Sequence, residues 1–102
     1  MEYAGSPTYP RGMERAAPSL GLRQGDRRLF LNMLRELREK KGLRQSDVGR
    51  RLGRKQGFVS KYETGERRLA FLDFVLLCDA LDISIVDFVK RFNQERRRPL
   101  AD

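Results

Sequence analysis

The stretch Gln45-Ser46-Asp47-Val48-Gly49-Arg50-Arg51-Leu52-Gly53-Arg54-Lys55-Gln56-Gly57-Phe58-Val59-Ser60-Lys61-Tyr62-Glu63 decides the fold. Val48 and Leu52 stand one helical turn apart, and Gly53 ends the segment with a residue suited to a helix stop. A second short helical pattern opens at Gln56 and places Val59 and Tyr62 on one side. Gly53 supplies the positive φ that a tight turn between helices needs. Gly49 falls where the two helices would approach most closely, and a larger side chain there would push them apart. The spacing therefore predicts two short helices joined by a tight turn, with Val48, Leu52, Val59 and Tyr62 shared with the rest of the core.

Working outward, Leu29, Phe30, Met33, Leu34 and Leu37 recur at helical spacing, with Arg35, Arg38 and Glu39 on the other faces. Asp26 is the expected N-cap of this first helix, and Lys40-Lys41-Gly42 is its expected end. On the other side, Thr64-Gly65-Glu66 reads as a turn. A fourth helix carries Phe71, Leu72, Phe74, Val75, Leu77, Cys78 and Leu81, apolar over so much of its circumference that it is expected at the centre of the core. Ser84 caps a fifth helix bearing the stripe Ile85, Phe88, Val89 and Phe92. No stretch alternates with period two for long enough to suggest a sheet, and no internal repeat is present. The expected fold is all-α, with five helices in one domain over residues 26–92. Residues 1–25, with Pro7, Pro10, Pro18 and four glycines, are expected to be a flexible arm, and residues 93–102 a short basic tail.

A chain of 102 residues has room for one ordinary domain and a limited core. Its net charge of +8 is unevenly placed: residues 40–68 hold ten basic and three acidic groups, whereas residues 69–89 hold four aspartates and no base. One strongly positive segment beside a negative one points to a localised surface for a polyanion. There is no His, which removes the commonest general base and metal ligand, and Cys78 stands alone. Neither an enzyme, a metal site nor a cofactor is expected. The longest apolar run, Phe74 to Cys78, is far short of a membrane span, and the opening residues lack the pattern of a secretory signal. A reducing, cytoplasmic setting is expected.

Two helices held by such a turn form a helix-turn-helix, in which the second helix is presented to the DNA major groove. The sequence resembles the helix-turn-helix domains of the lambda repressor, Cro and xenobiotic-response-element (XRE) type, from about Leu29 to Phe92. The resemblance lies in Leu34-Arg35-Glu36-Leu37-Arg38-Glu39-Lys40-Lys41-Gly42-Leu43, in the Gln45 opening, in Gln56-Gly57-Phe58-Val59-Ser60-Lys61-Tyr62-Glu63-Thr64-Gly65, and in Leu81-Asp82-Ile83-Ser84. It implies a phosphate contact at Gln45 and a base contact at Gln56, a residue suited to bidentate recognition of adenine. Ser60 and Lys61 match groove-facing positions. Glu63 matches a residue that supports the following turn, and Arg67 and Arg68 fall in a loop expected to reach phosphate.

Some positions depart from the family pattern. Lys55 stands where the family has Ser or Thr, so the second helix loses a cap worth about 1 kcal/mol. Arg54 takes a usually apolar position, with its stem expected over the core and its head in solvent. Gly57 replaces a side chain that often reads a base, which leaves Phe58 as the candidate to touch a thymine methyl. The expected DNA-binding set is thus Gln45, Arg54, Lys55, Gln56, Gly57, Phe58, Ser60, Lys61, Arg67 and Arg68. The implied function is a sequence-specific regulator of transcription, a repressor, acting on double-stranded DNA. Pairing of two copies through Ile85, Phe88, Val89 and Phe92 is expected with it. The competing reading is a protein-interaction module, an antitoxin or adaptor, using the acidic fourth helix and the Phe-bearing fifth. A membrane partner is not expected.

Overall fold

In the computed structural model, which describes residues 24–98, the described chain forms five helices. They are α1 (Gln24–Lys40), α2 (Gln45–Leu52), α3 (Gln56–Glu63), α4 (Phe71–Leu81) and α5 (Ile85–Arg97). The all-α architecture is the one the periodicities predict. Helix α2 packs on α3 and α4, while α1 packs on α3 and α5, so α3 is clamped between the two groups. Leu31, Met33 and Leu34 of α1 meet Val48, Val59, Tyr62, Phe74, Leu77, Cys78, Leu81 and Phe88 in one core. Phe30 is an aromatic hub, edge-on to Phe74, Phe88 and Phe92 at centroid distances of 5.2, 5.9 and 6.1 Å.

The turn between α2 and α3 has the predicted chemistry. Gly53 takes φ +68°, and its N–H and that of Arg54 donate to Arg50 O and Gly49 O, closing α2. A Cβ on Gly49 would lie 2.9 Å from the carbonyl oxygen of Arg54, so the close approach inferred from sequence is real. At the start of α2 the Asp47 carboxylate accepts the Arg44 backbone N–H at 2.8 Å, which holds its pKa below the usual carboxylate range. Ser84 caps α5 by accepting the Asp87 N–H at 3.1 Å.

The structure extends two helices and re-faces a third. Helix α1 begins at Gln24, so Gln24 and Gly25 belong to the folded unit and Asp26 sits in the first turn rather than at the cap. There the helix dipole still favours its charge, and it faces Arg96 across an O–N distance of 3.5 Å. Helix α5 runs through Arg97, so residues 93–97 of the expected tail are helical; nothing in Asn93-Gln94-Glu95 breaks it, and Arg96 ties it back to α1. The rest of the expected arm, residues 1–23, and residues 99–102 of the expected tail lie outside the described residues. Finally, α4 is not buried all round. It turns Phe74, Leu77, Cys78 and Leu81 inward but leaves Phe71, Leu72 and Leu76 at 67, 74 and 53% exposure. Its main packing partner is α2, and Phe74 meets Phe30 of α1 and Phe88 of α5, so the opposite side of the helix stays open. Cys78 is buried, and desolvation pushes its thiol up to about 11, which keeps it an inert core residue.

Candidate nucleic-acid interface

Helix α3 divides cleanly into two faces. Phe58, Val59 and Tyr62 point into the core, while Gln56, Gly57 and Lys61 are exposed and Ser60 is half-buried beside them. Positions 56, 57, 60 and 61 form one stripe of an α-helix, so four of the expected contacts share a face. Lys55 is the N-cap and makes no side-chain cap bond, as its chemistry predicts. A Cβ on Gly57 would meet nothing within 4 Å. Gly57→Ala is therefore expected to stabilise the free protein by about 0.5–1 kcal/mol through helix propensity, read as a higher thermal midpoint.

A polar chain runs from the core to this stripe. Arg38 Nε and Nη2 donate to the two carboxylate oxygens of Glu63 at 2.7 and 3.1 Å, and Nη1 donates to Leu43 O at 2.7 Å. The Arg38 and Glu63 side chains are only 10 and 4% exposed, and the Glu63 hydrogen bond raises the Arg38 pKa further. Glu63 Oε1 also accepts from Gln45 Nε2 at 3.0 Å, and Gln45 Oε1 accepts from Gln56 Nε2 at 3.0 Å. Each link fixes the next, so Gln56 is oriented before any ligand arrives. Its carbonyl oxygen and second N–H stay available, which is the pair needed for adenine N6 and N7.

The flank of α3 is arranged differently from its expectation. Phe58 is 8% exposed and packs edge-on to Tyr62, with the Arg54 and Arg67 guanidinium carbons 4.6 and 4.8 Å from its ring centroid. It therefore offers no edge to a thymine methyl. Phe58 packs on the protein's own surface, with the two arginine heads over its ring. The Arg54 head lies at the surface as expected, its side chain 41% exposed, and Nη2 donates to Asp73 Oδ1 at 3.0 Å. Lys55, Lys61, Arg67 and Arg68 are exposed and make no ion pair within the described residues. Arg67 N donates to Lys61 O at 3.0 Å, and Arg27 Nη2 donates to Gly65 O at 2.6 Å, so the loop after α3 is tied to α3 and α1.

Arg38, Glu63 and Asp73 take part in ways that local patterning does not show. Arg38, expected on an outer face, is buried; its position four residues after Leu34, inside the apolar arc, is the signal for it. Glu63 does more than support a turn, because it anchors Gln45. Asp73 was legible only as part of an acidic region. On α5 the expected pairing stripe is also changed: Phe88 is 5% exposed in the chain's own core, and Ile85 and Phe92 pack against that core. The exposed apolar residues of α5 are Val86 and Val89, at 59 and 48%.

Residues 30–88 match the family described as a helix-turn-helix domain. Among solved structures, an XRE-family like protein from Pseudomonas syringae pv. tomato str. DC3000 is similar at 28% identity and TM-score 0.71, covering 76% of this chain and 95% of that one. The wild-type restriction-modification controller protein C.Esp1396I shares the fold at TM-score 0.65 and 21% identity, over 70% of this chain and 92% of its own. The clp gene regulator ClgR from C. glutamicum does so at TM-score 0.63 and 20% identity, over 72 and 96%. No curated protein matches the sequence.

Proposed function

The chain belongs to the helix-turn-helix family of lambda repressor and Cro type, and on that footing we propose that it is a transcriptional regulator that reads double-stranded DNA in the major groove with α3. The observation that carries this reading is the fixed relay from Arg38 through Glu63 and Gln45 to Gln56, which aims an adenine-matching amide beside Ser60 and Lys61. Lys55, Arg67 and Arg68 flank that stripe and supply phosphate contacts, which position the helix without choosing sequence. Gln45 contributes by holding Gln56 and by its place at the start of α2, where backbone N–H groups favour an anion. The regulator acts as a repressor, since a protein seated in the groove excludes others from the same site.

Pairing of two copies completes the proposal. With Phe88 committed to the core, the pairing surface on α5 centres on Val86 and Val89 rather than on the whole predicted stripe. A symmetric pair would read two half-sites about 34 Å apart, or a multiple of that. No helix among the described residues is long and apolar enough to cross a membrane. The exposed Phe71, Leu72 and Leu76 of α4 favour a second reading, contact with a protein partner.

Selection of bound duplexes from a random pool at physiological salt tests the proposal. The wild type is expected to enrich one motif, an inverted repeat if two copies act together. Gln56→Ala with Lys61→Ala should weaken binding to that motif by roughly 30- to 10⁴-fold, at about 1–3 kcal/mol for each of the two lost contacts. Retention of duplexes with no enriched sequence would sink the sequence-specific reading and move attention to α4.

A further inference from the structure

Asp73 is the acidic residue set against the basic flank of α3. Its Oδ1 accepts from Arg54 Nη2 at 3.0 Å, with the two side chains 22 and 41% exposed. The Arg54 guanidinium also lies over Phe58, 4.6 Å from the ring centroid, and Arg67 lies 4.8 Å from the same centroid. Two like charges thus share one ring, and Asp73 cancels one of them. A carboxylate in the first turn of α4 is favoured by the helix dipole, more so because the N-cap, Ala70, has no side chain to bond. That accounts for an acid at this position but not for its engagement with Arg54.

Arg67 provides an internal comparison. It rests on Phe58 with no carboxylate partner among the described residues, so the ring suffices to place a guanidinium there. Asp73 is not needed to position Arg54; what it does is occupy it. Through one oxygen the Asp73 carboxylate accepts an Arg54 N–H as a phosphate oxygen would. We propose that Asp73 masks Arg54 as an internal substitute for a DNA phosphate, and so lowers the affinity of this chain for duplex DNA. The proposal rests on the duplex binding put forward above. Because the pair is open to solvent, it is weak enough to be displaced or removed without collapse of the fold.

The test is anisotropy titration of a labelled random-sequence duplex across a salt series, with the full chain. Asp73→Asn is expected to tighten binding about three- to tenfold at low salt and to steepen the slope of log affinity against log salt by about 0.9, one phosphate gained. Asp73→Glu keeps the charge and should behave as wild type. In an Arg54→Gln background, Asp73→Asn should give no gain. Asp73→Ser, which retains a polar side chain in the first turn, repeats the measurement if the Asn variant melts early. Unchanged or weaker binding by D73N and D73S overturns the inference alone. A wild type that does not bind the duplex at low salt removes the duplex-binding reading and the inference together.

Discussion

Glu63→Ala is expected to lower the stability of the domain by about 3–5 kcal/mol, the cost of leaving a buried charge without its partner. For a domain of this size the thermal midpoint should fall by roughly 15–30 °C. The reason is local: Arg38 is 8% exposed and gives two of its three hydrogen bonds to that carboxylate. Removing both charges is a different experiment. Arg38→Met with Glu63→Leu should recover most of the loss, because a buried ion pair gains little over apolar groups of similar shape. The double variant still lacks the acceptor for Gln45, so its affinity for the selected duplex should stay below wild type after stability is restored. Melting curves and anisotropy on the same samples separate the two roles. If the double variant melts as early as the single one, the unpaired charge was not the cause.

Gly49→Val is the second large effect. The added Cβ would meet Arg54 O at 2.9 Å, and Gln56 N and Lys55 C at 3.3 Å. All three are backbone atoms, so none can swing aside as a side-chain tip would. The turn must shift, at a cost of about 1–3 kcal/mol for overpacking. Displacing α2 from α3 also stretches the 3.0 Å bond between Gln45 and Gln56 while leaving Arg38 and Glu63 paired. The expected result is a lower denaturant midpoint with an unchanged m-value, accompanied by weaker binding to the selected duplex. A variant as stable as wild type would mean that the helices separate there without strain.

The helices were legible because each depends on local patterning: Gly53 for the turn, Ser84 for a cap, the apolar spacing of α1 and α5. What escaped depends on distance in sequence. Glu63 reaches Arg38 and Gln45, and Arg54 reaches Asp73, across 25, 18 and 19 residues. Periodicity says that a residue shares an arc with apolar neighbours; it does not say that a charge there will find a partner. The same limit explains Phe58. Its place on α3 was readable, but the arginines that cover it come from segments before and after the helix. The exposure of Phe71, Leu72 and Leu76 was hidden by composition, since an apolar count carries no information on how many neighbours are available to cover it.

The packing of α1 against α5, with Asp26 facing Arg96 across 70 residues of chain, bears on the order in which the domain assembles. Contacts among α2, α3 and α4 close short loops, whereas joining the first helix to the last closes nearly the whole described chain and carries the larger entropic cost. Folding is therefore expected to start from the turn around Gly53 and to finish when the outer helices meet. Helix α3, next to that turn, is expected to form early, and hydrogen exchange should find the α1–α5 clasp opening first.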